Sequence, residues 1–158
     1  MRKIIKNREI VESPWVRVGL EDELPSGPVI VPFKRWLSEH EALSSRGEVS
    51  VYLEGDDDTR EIAPHLENVA FVAVDFPKFA DGRGYSHARI LRDEFEYTGE
   101  LRAIGDILRD QMFNLVRCGF NAFEVREDKD LDDALEGLND FSVTYQAAAD
   151  EKRPIYRR

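Results

Sequence analysis

The sequence predicts an α/β fold: a parallel sheet with helices mainly on one face, barrel-like in the manner of an incomplete (β/α) barrel, and preceded by an N-terminal β-hairpin. Three observations carry this. Strand-like and helix-like segments alternate through most of the chain, which calls for parallel strands joined by right-handed crossovers. Several strands alternate apolar and polar residues, as in Val49-Ser50-Val51-Tyr52-Leu53-Glu54. A doubly wound open sheet, the alternative, covers both faces with helices and favours continuous apolar strands instead. Third, two short β-prone runs at the start flank Asn7-Arg8, a hairpin pattern.

In order, the hairpin occupies residues 1–13 and the β/α units residues 28–141, within one domain over 1–146. Pro28-Val29-Ile30-Val31-Pro32 reads as a short buried strand, and Phe33, Trp36, Leu37, His40 and Leu43 recur after it at helical spacing. His40 falls on that apolar stripe and reads as a packed histidine. The strand Val49 to Glu54 leads to an acidic turn, Gly55 to Asp58, and a short crossover from Arg60 to Leu66. Val69 to Val74 is the central apolar strand. Ser86 reads as the cap of a helix that turns Ala88, Leu91 and Phe95 inward, and Gly99 breaks it before the strand Glu100 to Ile104. Asp106 caps a helix with Leu108, Met112, Leu115 and Val116 on one stripe. After Gly119 come a strand from Asn121 to Val125 and a helix capped by Asp130, with Leu131, Ala134, Leu135 and Leu138 facing in. Residues 147–158 read as an irregular basic tail.

Composition narrows the function classes. Asp plus Glu exceed Lys plus Arg by 32 to 22, and a net charge of −10 repels phosphate backbones, so no nucleic-acid partner is expected. One cysteine, Cys118, excludes an internal disulfide and a self-contained iron–sulfur cluster. With no long uncharged apolar run and no leader pattern, the expectation is a cytoplasmic protein with no membrane partner. His40, His65 and His87 stand far apart in the chain without metal-ligand spacing, so no metal site is expected.

The candidate site is the loop from Lys78 to Ser86, between the central strand and the next helix. In α/β sheets ligands bind at the carboxyl ends of the strands, where helix N-termini present free N–H groups. Gly82 and Gly84 let the backbone approach a ligand, and Arg83 offers a planar fork for phosphate, sulfite, sulfate or carboxylate. Lys78, Asp81, Gly82, Arg83, Gly84 and Ser86 form the predicted ligand-binding set, with Arg102 and Asp106 orienting the ligand. Asp75, Arg102 and Glu124 share the polar sheet face in this reading. The same residues also fit a plain turn, a helix cap and a structural ion-pair network. No dinucleotide fingerprint is present, since Gly82-Arg83-Gly84 lacks the third glycine. No catalytic residue is assigned, no cofactor is encoded by motif, and a flavin would have to be bound without one. Exposed sheet edges make a homo-oligomer a corollary.

The run Phe76-Pro77-Lys78-Phe79-Ala80-Asp81-Gly82-Arg83-Gly84-Tyr85-Ser86, with Gly99-Glu100-Leu101-Arg102-Ala103-Ile104-Gly105-Asp106, Arg117 to Phe123, Asp140 to Gln146 and Pro154 to Arg158, carries a resemblance. It resembles the bacterial domain of unknown function nine hundred and thirty-four, a sulfite-reductase-associated, "probable oxidoreductase" family. The resemblance implies a role in sulfur assimilation beside sulfite reductase, with no defined reaction. Two functions follow: an accessory protein of assimilatory sulfite reduction that binds a small anion, or a non-catalytic docking subunit of sulfite reductase or its electron donor.

Overall fold

The computed structural model describes residues 2–76, 83–107, 109–125 and 131–140. Strands β1 (Arg2–Lys6) and β2 (Glu9–Ser13) form the expected hairpin. Asn7 and Arg8 both hold positive φ, 50° and 67°, the pairing that a tight two-residue hairpin turn requires. Then come β3 (Val16–Arg17), β4 (Val29–Pro32), α1 (Phe33–Arg46), β5 (Val49–Leu53) and a 3-10 segment, Thr59–Asn68. The rest is β6 (Val72–Phe76), α2 (Arg83–Asp93), β7 (Leu101–Gly105), α3 (Arg109–Cys118), β8 (Ala122–Phe123) and α4 (Leu131–Asp140). Leu108, Asp130 and the tail from Phe141 onward lie outside the described residues.

One sheet of eight strands runs in the order β2-β1-β8-β7-β6-β5-β4-β3. From β8 through β3 the pairings are parallel, whereas β1 pairs antiparallel with both β8 and β2. The sheet cannot be flat. Its edge strands β2 and β3 are separated in the chain only by Pro14 and Trp15, so Ser13 and Val16 lie at most about 11 Å apart. A flat sheet of this width would hold its edges about 34 Å apart, at about 4.8 Å per neighbouring pair. The sheet therefore curls into a half-barrel, as the sequence leads one to expect, and Glu9 to Arg17 bridges its open side. Because β2 and β3 run in the same direction, this segment is one strand bent at Pro14-Trp15. It pairs first with β1 and then with β4.

The outer face is the main core. Val29, Val31, Val51, Leu53, Val72, Val74, Leu101, Ala103 and Phe123 are at most 2% exposed and pack against Trp36, Ala88, Leu91, Met112 and Leu115 of the helices. The inner face carries polar groups, as expected, but also apolar ones. A second apolar cluster, Ile30, Tyr52, Phe71, Ala73 and Ile104 with Trp15 against it, fills its middle. Trp15 meets Phe71 edge to face at 4.9 Å, although β3 and β6 are not neighbours in the sheet. This contact across the interior shows that the bent strand's inward side chains, Ser13, Trp15 and Arg17, close over the half-barrel.

A buried hydroxyl completes the inner face. Ser50 is fully buried, and its Oγ accepts the backbone N–H of Phe71 at 3.0 Å, just ahead of the β5–β6 ladder. Ser50→Ala is expected to lower the unfolding free energy by about 1–3 kcal/mol, the cost of an orphaned buried donor. Urea unfolding followed by circular dichroism checks this.

Candidate functional site

The carboxyl ends of β5 and β6 and the start of α2 come together. Phe76 ends β6, and its ring supports the first turn of α2 from below: a Cβ on Gly84 would lie 2.6 Å from the Phe76 ring. Only glycine allows that approach. Tyr85 and Phe120 hold the same ring at 5.3 and 5.6 Å between centroids. Arg83 is exposed at the first position of α2 and lies against Gly55, where an added Cβ would sit 3.2 Å from its guanidinium carbon.

Gly55 belongs to the acidic turn after β5, and this turn is tightly held. Lys34 of α1 extends its ammonium to Asp57 at 2.9 Å, Asp56 at 3.0 Å and Glu54 at 3.4 Å. Burial disfavours the charged lysine, but the hydrogen bonds it donates to Asp57 and Asp56 outweigh it and raise the Lys34 pKa. The Lys34 hydrogen bond in turn lowers that of Asp56, to which the nearby Arg83 charge adds. From beneath, buried His87 lies 2.8 Å by Nε2 from the Glu54 carbonyl and 2.5 Å by Nδ1 from Thr59 Oγ1. A carbonyl only accepts, so Nε2 carries hydrogen and donates to Glu54, while Nδ1 shares a hydrogen bond with the Thr59 hydroxyl. His87 thus ties α2 to the acidic turn.

Inside the half-barrel at the same end, Arg17 and Asp75 form a two-pronged pair, both N–O distances 3.1 Å. The Arg17 guanidinium lies 4.3 Å over the Tyr52 ring. Burial lowers the Arg17 pKa, but the Asp75 hydrogen bond and charge raise it further, so the net shift is upward. Burial likewise raises the Tyr52 pKa, against the opposing pull of Arg17. Deeper in the half-barrel, Arg102, 2% exposed, reaches Glu100 at 2.7 Å, Glu124 at 3.1 Å and Ser13 Oγ at 3.1 Å, with its guanidinium 4.2 Å over Phe71.

The predicted polar set is therefore divided. Arg102 and Glu124 meet, but Asp75 pairs with Arg17 instead. Register explains this: Ala73 pairs with Arg102 and Asp75 with Ile104, so Asp75 stands one inward step nearer the carboxyl end than Arg102. Ser86 is corrected as well. Since α2 begins at Arg83, Ser86 is exposed within its first turn and is not its cap. The Asp106 backbone N–H donates to the Phe76 carbonyl at 2.7 Å, which places this residue beside the end of β6. Lys78, Asp81 and Gly82 lie outside the described residues. Sequence reasoning missed Arg17 and Lys34; the alternation Ser13, Trp15, Arg17 was the available signal for the first. His40 and His65, 25 positions apart in the chain, lie with ring centroids 5.5 Å apart. Helix α1 and the 3-10 segment bring them together.

The family model described as "Bacterial protein of unknown function (DUF934)" matches residues 50–156. The chain belongs to this family. The match takes in the DUF934 residues Asp75, Arg83, Arg102 and Glu124, whereas their partners Ser13 and Arg17, and Lys34 of the acidic turn, precede it. No curated protein and no solved structure is significantly similar to this DUF934 chain. Among the described residues no helix is long and apolar enough to cross a membrane.

Proposed function

We propose that this DUF934 protein is an accessory factor of assimilatory sulfite reduction that binds a small oxyanion or phosphate-bearing ligand at the carboxyl ends of β5 and β6. The observation that carries the reading is the position of Arg83. Arg83 is an exposed residue at the start of α2, where backbone N–H groups and the helix dipole favour negative charge. The acidic turn refines the ligand class: a bare dianion has to sit beside Asp56, whereas a ligand with hydroxyl or N–H groups next to its phosphate satisfies both Arg83 and Asp56. The family resemblance supplies the sulfite-reductase setting.

Thermal unfolding against sulfite, sulfate, phosphate, FMN, FAD and NADPH tests this. A ligand at 100 times its Kd stabilises the folded form by about 2.7 kcal/mol, equivalent to a rise of about 5–10 °C for a chain of this size. Arg83→Ala is expected to abolish the rise. No rise with any of the six defeats the reading and favours the second, a docking subunit of sulfite reductase or its electron donor. Val16 on the bent strand and Leu20 just after it, 49% and 53% exposed, favour that second reading.

A further inference from the structure

We propose that His40 and His65 form a two-imidazole site for a divalent transition-metal ion, on the outer helical layer and independent of the Arg83 site. His40 follows Glu39, whose φ of −128° and ψ of 18° break the helical run of α1. His65 follows Pro64 in the 3-10 segment. The two ring centroids lie 5.5 Å apart with planes tilted by 60°. Metal–nitrogen bonds of about 2.0–2.1 Å at a tetrahedral angle set two ligating imidazole centres about 5 Å apart, so an ion fits with little ring movement. A half-turn about Cβ–Cγ exchanges ring nitrogen and carbon positions, so the edge of each ring that faces the gap can present a nitrogen.

The surroundings distinguish this pair from His87. Both nitrogens of His87 are engaged in hydrogen bonds. Among the described residues, no hydrogen bond engages the nitrogens of His40 or His65. Both rings are half-buried, so water reaches one side. Trp36 closes the other side, 6.1 Å from His40 and 5.9 Å from His65, with Phe33 6.2 Å from His65. Exposed Glu41 follows His40, and exposed Glu61 and Glu67 lie on the segment of His65, while Glu39 is paired with Arg35 at 3.5 Å; the remaining carboxylates of this stretch favour a cation. Imidazole ligands suit zinc, nickel and copper rather than magnesium or calcium. Among the described residues the one close-set trio of ligating side chains is Glu54, Asp56 and Asp57, and the Lys34 ammonium occupies it. An ion at His40 and His65 accordingly takes two protein nitrogens and keeps water at its other positions.

Trp36 reports on occupancy, because Cu²⁺ or Ni²⁺ this close to the indole quenches its emission. Titration of the full chain with Cu²⁺ is expected to give saturable quenching at about one ion per chain. His40→Gln and His65→Gln are each expected to weaken binding by more than about tenfold, at least the loss seen when a ligand's outer partner is removed. Asp56→Asn leaves it unchanged. Electron paramagnetic resonance of the Cu²⁺-loaded native chain is expected to show two nitrogen ligands, a readout that needs no variant to fold. Absence of saturable quenching, wild-type quenching in His65→Gln, or an all-oxygen spectrum overturns the proposal.

Discussion

Replacing Arg102 by Ala is expected to lower the unfolding free energy by about 3 kcal/mol. Arg102 is 2% exposed and spans the interior between Glu100 and Glu124, each carboxylate almost as deeply placed, with Ser13 as a third partner. Breaking a buried pair by removing one member costs about 3–5 kcal/mol, because the remaining charge stays desolvated without compensation. Here the lower end applies. Lys6 still reaches Glu100 at 3.0 Å, and Arg2 lies 3.6 Å from Glu124, so neither carboxylate is fully abandoned. Arg102 also stacks on Phe71, and that packing is a separate contribution. Arg102→Met separates the two: methionine restores much of the apolar contact but leaves the carboxylates facing each other. If charge dominates, Met and Ala lose similar stability in urea titrations; recovery of most of the loss by Met assigns the role to packing. A loss below about 1 kcal/mol in both would mean that water already screens the network.

The network also shows where sequence reading stops. Period-two alternation in β5 and β7 identified which residues face inward, and the curled sheet with helices outside follows from that pattern alone. Alternation states which face a residue occupies, but not how far along its strand that residue stands relative to its neighbours. Register sets that, and register emerges from pairing many positions apart, so Asp75, Arg102 and Glu124 could be placed on one face without revealing that Asp75 belongs with Arg17. The bent strand was harder still. Strand β3 is only two residues long, so its alternation is legible only as a continuation of Ser13 and Trp15 across the bend at Pro14. It exists because the carbonyls of Pro28, just before β4, and of Ile30 within it accept the N–H groups of Val16 and Val18. The histidine pair was hidden for a similar reason, since ligand spacing rules describe one segment and these rings come from two.

The largest loss from a single methyl group is expected at Gly105. Its φ of +97° is strained for any side chain, and an added Cβ would lie 2.5 Å from the Phe76 carbonyl oxygen and 2.6 Å from Asp75 Oδ1. Neither neighbour is free to retreat. The Phe76 carbonyl accepts the Asp106 N–H at 2.7 Å, and the Asp75 carboxylate is gripped by both prongs of Arg17. Backbone strain alone costs about 1–3 kcal/mol, and the clash adds to it, so Gly105→Ala is expected to lose about 3 kcal/mol or more. Gly47 is the internal control: at φ +77° it is strained in the same sense, but nothing lies within 4 Å of its added Cβ. Gly47→Ala therefore measures strain without collision. The difference between the two variants in urea unfolding isolates the close approach of β6 and β7, and equal losses would disprove that approach. The effect extends to the mouth of the half-barrel, because a displaced Asp75 releases Arg17 from its fork. An unpaired Arg17 over Tyr52 is a new anion site. In Gly105→Ala protein that still folds, sulfate is then expected to raise the unfolding midpoint more than in the parent chain, and the same gain in Asp75→Asn would trace it to the freed arginine.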